Sequence, residues 1–216
     1  MDTHEFYNSL NSLLSQDLEI GATITADDYK ILEDLGVENL EKYLFSMADG
    51  TYELVNAAED FNEVIFDALK TMAAQTAENI SASGYSADEL FTGAGAEGSD
   101  LRQAQLDFLE AQGEDITGLA DNTEALNNAL AEQELQFNST RTSVLKYCED
   151  LSDLNELKQR GVVTEKEYEK YLKRVATAEA KRYSLDPQDV EDVAEALLEQ
   201  NKAYKGNETA AYEAAI

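Results

Sequence analysis

The sequence predicts an all-α protein: a multi-helix bundle or array built around a long antiparallel helical hairpin at about 121–183, with no β-sheet. Three observations predict it. The 216 residues include one Pro, 11 Gly and no Trp, and Ala, Glu, Leu and Asp are the commonest, a composition that suits helices and their ends. From Leu126, positions spaced alternately by four and three are Leu126, Leu130, Gln133, Phe137, Thr140, Val144, Tyr147, Leu151 and Leu154. Seven of these nine are apolar, the 3.5-residue period of a helix–helix seam. Finally, one pattern of helix start recurs at Thr25, Ser86, Thr164 and Asp186. Each has a capping side chain, an acid three residues on, and an apolar pair flanking them, the capping box with its hydrophobic staple.

In chain order, Asp2 to Gln16 reads as a short amphipathic helix carrying Phe6, Leu10, Leu13 and Leu14. After Gly21, Thr25 starts a helix that Gly36 closes. Val37 to Ala48 reads as another, with Leu40, Tyr43, Leu44 and Met47 at helical spacing, punctuated by Asp49-Gly50. Tyr52 to Ile80 follows as one long helix with a stripe of Val55, Ala58, Val64 or Ile65, Leu69 and Met72. Ser83-Gly84 ends it and Ser86 opens a short helix. Leu101 to Gln112 is the next, burying Leu101, Gln105 or Leu106, Phe108 and Leu109. The long helix begins near Asp121 and turns after Arg160 at Gly161. Thr164 and Glu167 then start the returning helix, with Tyr168, Tyr171 or Leu172, Val175, Ala178 and Tyr183 facing the seam. Pro187, at the first position of the last long helix, sits where proline is tolerated. Glu208 to Ile216 carries no stop signal, so the reading expects a piece of something longer.

The expected organisation is an N-terminal helical region over 1–92, a Gly-rich hinge at 93–99, and a C-terminal hairpin region over 100–216. The four capped starts are separated by 61, 78 and 22 residues. That gives no fixed period and no solenoid array.

Charge narrows the function. Forty-five acids face 16 basic residues, a formal net charge of −29. Such a chain is repelled by phosphate backbones and by anionic membrane surfaces, which disfavours nucleic-acid and membrane partners. The ordinary role of so many acids is a solvated helical face. Eight of the 16 basic residues fall between Lys158 and Arg182, with four acids. The returning helix therefore offers a basic docking face, Lys166, Lys170, Lys173 and Arg174, for acidic helices of this chain or of another copy. No run approaches the ~18 apolar residues of a bilayer span. No signal peptide is visible at the start, and the expected location is cytoplasmic or in a virion.

Candidate chemistry is sparse. One His and one Cys leave His4, near the terminus, as the only histidine for a nucleophile–base pair, so the chain reads as non-enzymatic with no cofactor. Cys148 reads as a buried small hydrophobe with Glu149 and Asp150 beside it, the wrong neighbours for a reactive thiol. Glu59, Asp60, Glu63 and Asp67 have the spacing of helical carboxylate ligands, but no Glu-x-x-His partner exists, which favours a solvated face over a metal. Gly93-x-Gly95-x-x-Gly98 follows a helix, contains Glu97 and lacks a Lys, so a phosphate-binding reading fails on context.

The stretches Gly21-Ala22-Thr23-Ile24-Thr25-Ala26-Asp27-Asp28-Tyr29-Lys30-Ile31-Leu32 and Leu157-Lys158-Gln159-Arg160-Gly161-Val162-Val163-Thr164-Glu165-Lys166-Glu167-Tyr168 resemble connectors in phage and prophage tail tape-measure proteins. Ala48-Asp49-Gly50-Thr51-Tyr52 also resembles them. Together these stretches cover 29 of the 216 residues. The resemblance implies a long helical virion component that sets tail length, and it carries over no functional residues. The expectation is thus a structural or assembly protein. It acts through helix–helix packing, with Leu126, Leu130, Phe137, Val144, Tyr147, Leu151 and Leu154 holding protein partners, including further copies in a homo-oligomer. The alternative is an acidic binding module, an effector or adaptor, that captures a basic partner.

Overall fold

The computed structural model describes residues 3–15, 19–56, 58–95 and 100–182. The fourth capped start, at Asp186, the last helix and Tyr183 lie outside them. The elements run α1 (Thr3–Leu14), β1 (Thr23–Ile24), α2 (Ala26–Asp34), a 3₁₀ turn (Leu40–Lys42), β2 (Leu44–Ser46), β3 (Tyr52–Leu54), α3 (Ala58–Ala82), α4 (Ala87–Thr92), α5 (Leu101–Ala111), α6 (Thr123–Tyr147), α7 (Leu151–Gln159) and α8 (Glu165–Arg182). The protein is mostly helical, as composition predicts.

The expectation of no sheet is corrected. A three-stranded antiparallel sheet has the order β1-β3-β2, and its β2 and β3 occupy the regions read as helix at 37–48 and at the start of 52–80. Leu40, Tyr43, Leu44 and Met47 fit a helical stripe, but Leu44-Phe45-Ser46 and Tyr52-Glu53-Leu54 equally fit a hairpin around Asp49-Gly50. Short apolar runs are ambiguous between the two, and the turn chemistry decides it. Gly50 takes φ +86 and donates its N–H to Met47 O at 3.1 Å, while Met47 N–H donates to Thr51 O at 2.8 Å. Asp49 Oδ1 accepts from Thr51 N at 3.1 Å and Thr51 Oγ1 at 2.7 Å. Those bonds hold its carboxyl below the ordinary range. Aspartate then a left-handed glycine closes such loops at little backbone cost.

The capping bonds expected at the three starts within the described residues form. Thr25 with Asp28 and Ser86 with Glu89 make complete capping boxes. At the third, Glu167 N–H donates to Thr164 Oγ1, and Glu167 Oε2 accepts from Thr164 N at 3.0 Å. Helix ends at Gly36, Gly113 and Gly161 share one closure. Val37, Glu114 and Val162 donate back to Leu32, Leu109 and Leu157, each across a left-handed glycine, the Schellman arrangement. Nothing lies within 4 Å of a Cβ built on Gly161, whose φ is +75. Gly161→Ala should therefore cost only the backbone term, about 1–2 kcal/mol, read as a lower denaturation midpoint. An unchanged midpoint would contradict the conformation assigned to that turn.

The chain divides into two units, 1–147 and 148–216. The Gly-rich run expected as a hinge sits inside the first, where α4 and α5 on either side of it pack on each other and on α6. Residues 96–99 lie outside the described set. In the first unit α6 packs most extensively on α3, and also on α4, α1 and α5. Leu10 and Leu13 of α1, Ile31 and Leu32 of α2, Leu54 of β3, Phe61, Ile65 and Leu69 of α3, Leu90, Leu109, Leu126 and Leu130 are fully buried. Phe61 was not on the predicted stripe; Val55, which was, is exposed on the strand side of the correction.

The second unit contains the α7–α8 helical hairpin. The helix predicted over 121–160 is interrupted, because Cys148–Asp150 leave the helical path and Asp150, with φ −110 and ψ 137, caps α7 by accepting from Ser152 N–H. Apolar spacing continues across the break from Tyr147 to Leu151 and Leu154. Spacing in sequence thus continues where the backbone helix does not. Across the hairpin Tyr168 Oη donates to Asn155 Oδ1 at 2.6 Å, Lys158 Nζ lies 4.0 Å from the Tyr168 ring centroid, and Lys158 pairs with Glu165 at 3.0 Å.

Candidate functional site

The seam residues converge on one buried face of α6. Leu126, Leu130, Gln133, Phe137, Thr140 and Val144 are all buried, which is the four-and-three pattern realised as packing. Its partners belong to the same unit. Phe137 stands 6.4 Å from Phe91 of α4 between ring centroids, and Phe91 meets Phe108 of α5 edge-on at 5.5 Å. Tyr147 is half-buried and donates its hydroxyl to Asn11 O at 3.3 Å. In the second unit Leu154 is buried and Leu151 half-buried. Of the seven seam residues, five lie on α6 and two on α7, and those of α6 close an internal core.

The two polar seam positions explain themselves. Gln133 Nε2 donates to Glu114 Oε1 at 2.9 Å. Thr140 Oγ1 donates to Gln136 O at 2.8 Å, and the Thr140 and Tyr7 hydroxyls are hydrogen-bonded to each other. Burial of Tyr7 pushes its phenol pKa up, against the Thr140 bond, which pulls it down. Ser143 Oγ donates to Asn11 Oδ1 at 3.2 Å, and Asn11 Nδ2 to Tyr7 O at 2.8 Å. This polar line fixes α1 against α6 at one register, since a slip would leave several buried polar groups unpaired. Sequence spacing identifies Thr140 as anomalous but cannot name Tyr7 as its partner, 133 residues away.

The basic face of α8 is exposed at Lys166, Lys170, Lys173 and Arg174. Part of it serves its own unit. Arg174 Nη2 donates to Cys148 O at 2.9 Å, and Arg174 and Lys170 both flank the Tyr171 ring, at 5.0 and 5.3 Å.

Cys148 is buried. Desolvation, then the nearby Asp153 charge, raises its thiol to about 11, with Arg174 a smaller opposing influence. Thiolate is the reactive form, so Cys148 should resist a disulfide reagent at pH 8 in the native protein and react at once in denaturant. Rapid native-state labelling would contradict the burial.

Two open grooves mark the first unit. One, about 580 Å³, includes Asn79, Tyr85, Asp100, Gln103 and Asp107 in its lining. The other, about 570 Å³, includes Glu38, Val64, Asp67, Met72 and Thr76. Each gathers two acids and neither a histidine nor a cysteine. Among the described residues, no group of three or more His, Cys, Asp or Glu is placed to hold a metal ion. Glu63 and Asp67 stand exposed on α3. Among the same residues, no helix is long and apolar enough to cross a membrane.

Charge is unevenly distributed along the chain. Residues 1–147 carry 29 acids against 6 basic side chains, whereas 148–182 carry 8 of each. Compared with family models, with curated proteins and with solved structures, the chain matches none.

Proposed function

We propose that the chain is a non-catalytic structural or assembly protein, a helical segment of a phage or prophage tail protein of the tape-measure kind. The observation that supports this reading most is the shared construction of its connectors. Gly21, Thr25, Asp28 and Tyr29 repeat as Gly161, Thr164, Glu167 and Tyr168, each with a left-handed glycine and a cap bonded to its acid at 2.7 Å. These are the stretches that resemble tape-measure connectors. A buried thiol near pKa 11 leaves the one cysteine unsuited to nucleophilic chemistry. Work of this kind is mechanical, with packed helices serving as spacers and outer faces meeting neighbours. Mass spectrometry of purified tail particles from induced source cells should find the chain at fixed stoichiometry with tail components. Its recovery solely in the particle-free fraction would overturn the proposal.

The charge distribution favours a second reading, an acidic binding module for a basic protein. Such binding weakens steeply with added salt. A calorimetric titration with a basic protein that shows no salt dependence would remove it.

A further inference from the structure

We propose that the outward face of the small sheet is a docking surface for a basic segment of a partner protein, one that alternates lysine or arginine with aliphatic side chains. The inference holds whichever assembly the chain serves. Of the five large hydrophobic residues that stand exposed among the described residues, four come from this sheet and its borders: Ile20 at 68%, Phe45 at 61%, Val55 at 47% and Met47 at 37%. Strand register places them together. Phe45 pairs with Glu53, and Glu53 with Thr23, so those three side chains share one face. Val55 N–H donates to Tyr43 O at 2.8 Å and Met47 N–H to Thr51 O at 2.8 Å. Met47 directly follows β2 and Val55 directly follows β3, and both stand exposed. Gly21 N–H bonds Leu54 O at 2.8 Å, which brings Ile20 to the border of the same face.

The opposite face is already filled. Ile24, Leu44 and Leu54 are buried beneath it, so the exposed residues are not the protein's own core turned inside out. Sheets with one solvated face ordinarily place polar residues there, and clustered exposed apolar groups with a polar rim mark contact sites.

Charge selects the occupant. Glu53 lies in the middle of the row, Glu19 borders Ile20, and Asp49 sits in the hairpin turn beside Met47. Over 19–56 there are nine acids and two lysines. An acidic or purely apolar partner would leave Glu53 buried without a counter-charge, a costly outcome. A segment with basic residues between aliphatic ones satisfies both Glu53 and Phe45.

The test is a fluorescence-anisotropy titration of the full chain with a short labelled peptide alternating lysine and valine. Binding should weaken about tenfold in Phe45→Ser, the loss of one anchor worth ~1.4 kcal/mol, and comparably in Glu53→Lys. It should be unchanged in Leu135→Ser, which removes the fifth exposed hydrophobe from α6. A loss in Glu53→Lys alone, or none in any, would mean charge attraction without a site, and equal losses in all three would mean no site-specific effect; each would overturn the proposal. So would concentration-dependent dimerisation abolished by Phe45→Ser, which would assign the face to a second copy. Both sheet variants point outward, and an unchanged circular dichroism spectrum confirms that their fold is intact.

Discussion

Val144→Asp is expected to lower the melting temperature by about 10 °C or more, or to unfold the first unit outright. Val144 is fully buried on α6. The polar groups of the adjoining turns are already engaged, Thr140 with Tyr7 and Ser143 with Asn11. A carboxylate there would be buried beside polar groups that already have partners. An unpaired buried charge costs about 3–5 kcal/mol, a large share of the roughly 5–15 kcal/mol that holds a domain together. At about 2–4 °C per kcal/mol for a chain of this size, the shift is readily measured by circular dichroism. Melting within 2 °C of the parent, taken as roughly the error of such a scan, would show that this face of α6 is not the core.

Phe61→Ala should be nearly as damaging. Phe61 is fully buried near the start of α3, and its ring centroid lies 5.6 Å from that of Tyr43. It therefore links α3 to the segment leading into β2. Removing a buried phenylalanine costs about 3–5 kcal/mol when the site cannot collapse. Urea unfolding should show a lower midpoint with an unchanged slope. A loss below about 1 kcal/mol would mean that the surrounding residues relax into the space.

Those two residues also mark how far the sequence could be read. Val144 was visible because α6 keeps one apolar face over its length, and such periodicity survives whatever the helix packs against. Phe61 falls four residues before Ile65, on the same helical face; the expected stripe omits it and includes Val55, which lies before α3 begins at Ala58. The error began at Asp49-Gly50, where a hairpin loop was read as a gap between helices. Capping boxes at Thr25, Ser86 and Thr164 were legible because their chemistry is contained within four residues. Partners far apart in sequence were not. Nothing local says that Thr140 meets Tyr7, or that Gln133 meets Glu114. The break before Asp150 was hidden by apolar spacing that runs on through it, although an Asp-Leu-Ser-Asp sequence is itself a helix-start signal.

The seam thus changes its meaning. Read from spacing, it was a surface for holding partners. In the fold, the α6 residues Leu126, Leu130, Phe137 and Val144 are buried, and the features left exposed include the outward face of the sheet and the basic side of α8. This is compatible with an assembly role, provided that assembly does not run through Leu126, Leu130, Phe137 or Val144.

Hydrogen exchange by mass spectrometry at several protein concentrations tests that claim most directly. If the α6 face is internal, amides over 126–144 exchange only through global unfolding, and their protection is the same in dilute and concentrated samples. Amides at 148–150, outside both helices, exchange early. Protection over 126–144 that is weak in dilute solution and rises with concentration would place the seam between molecules and contradict the account.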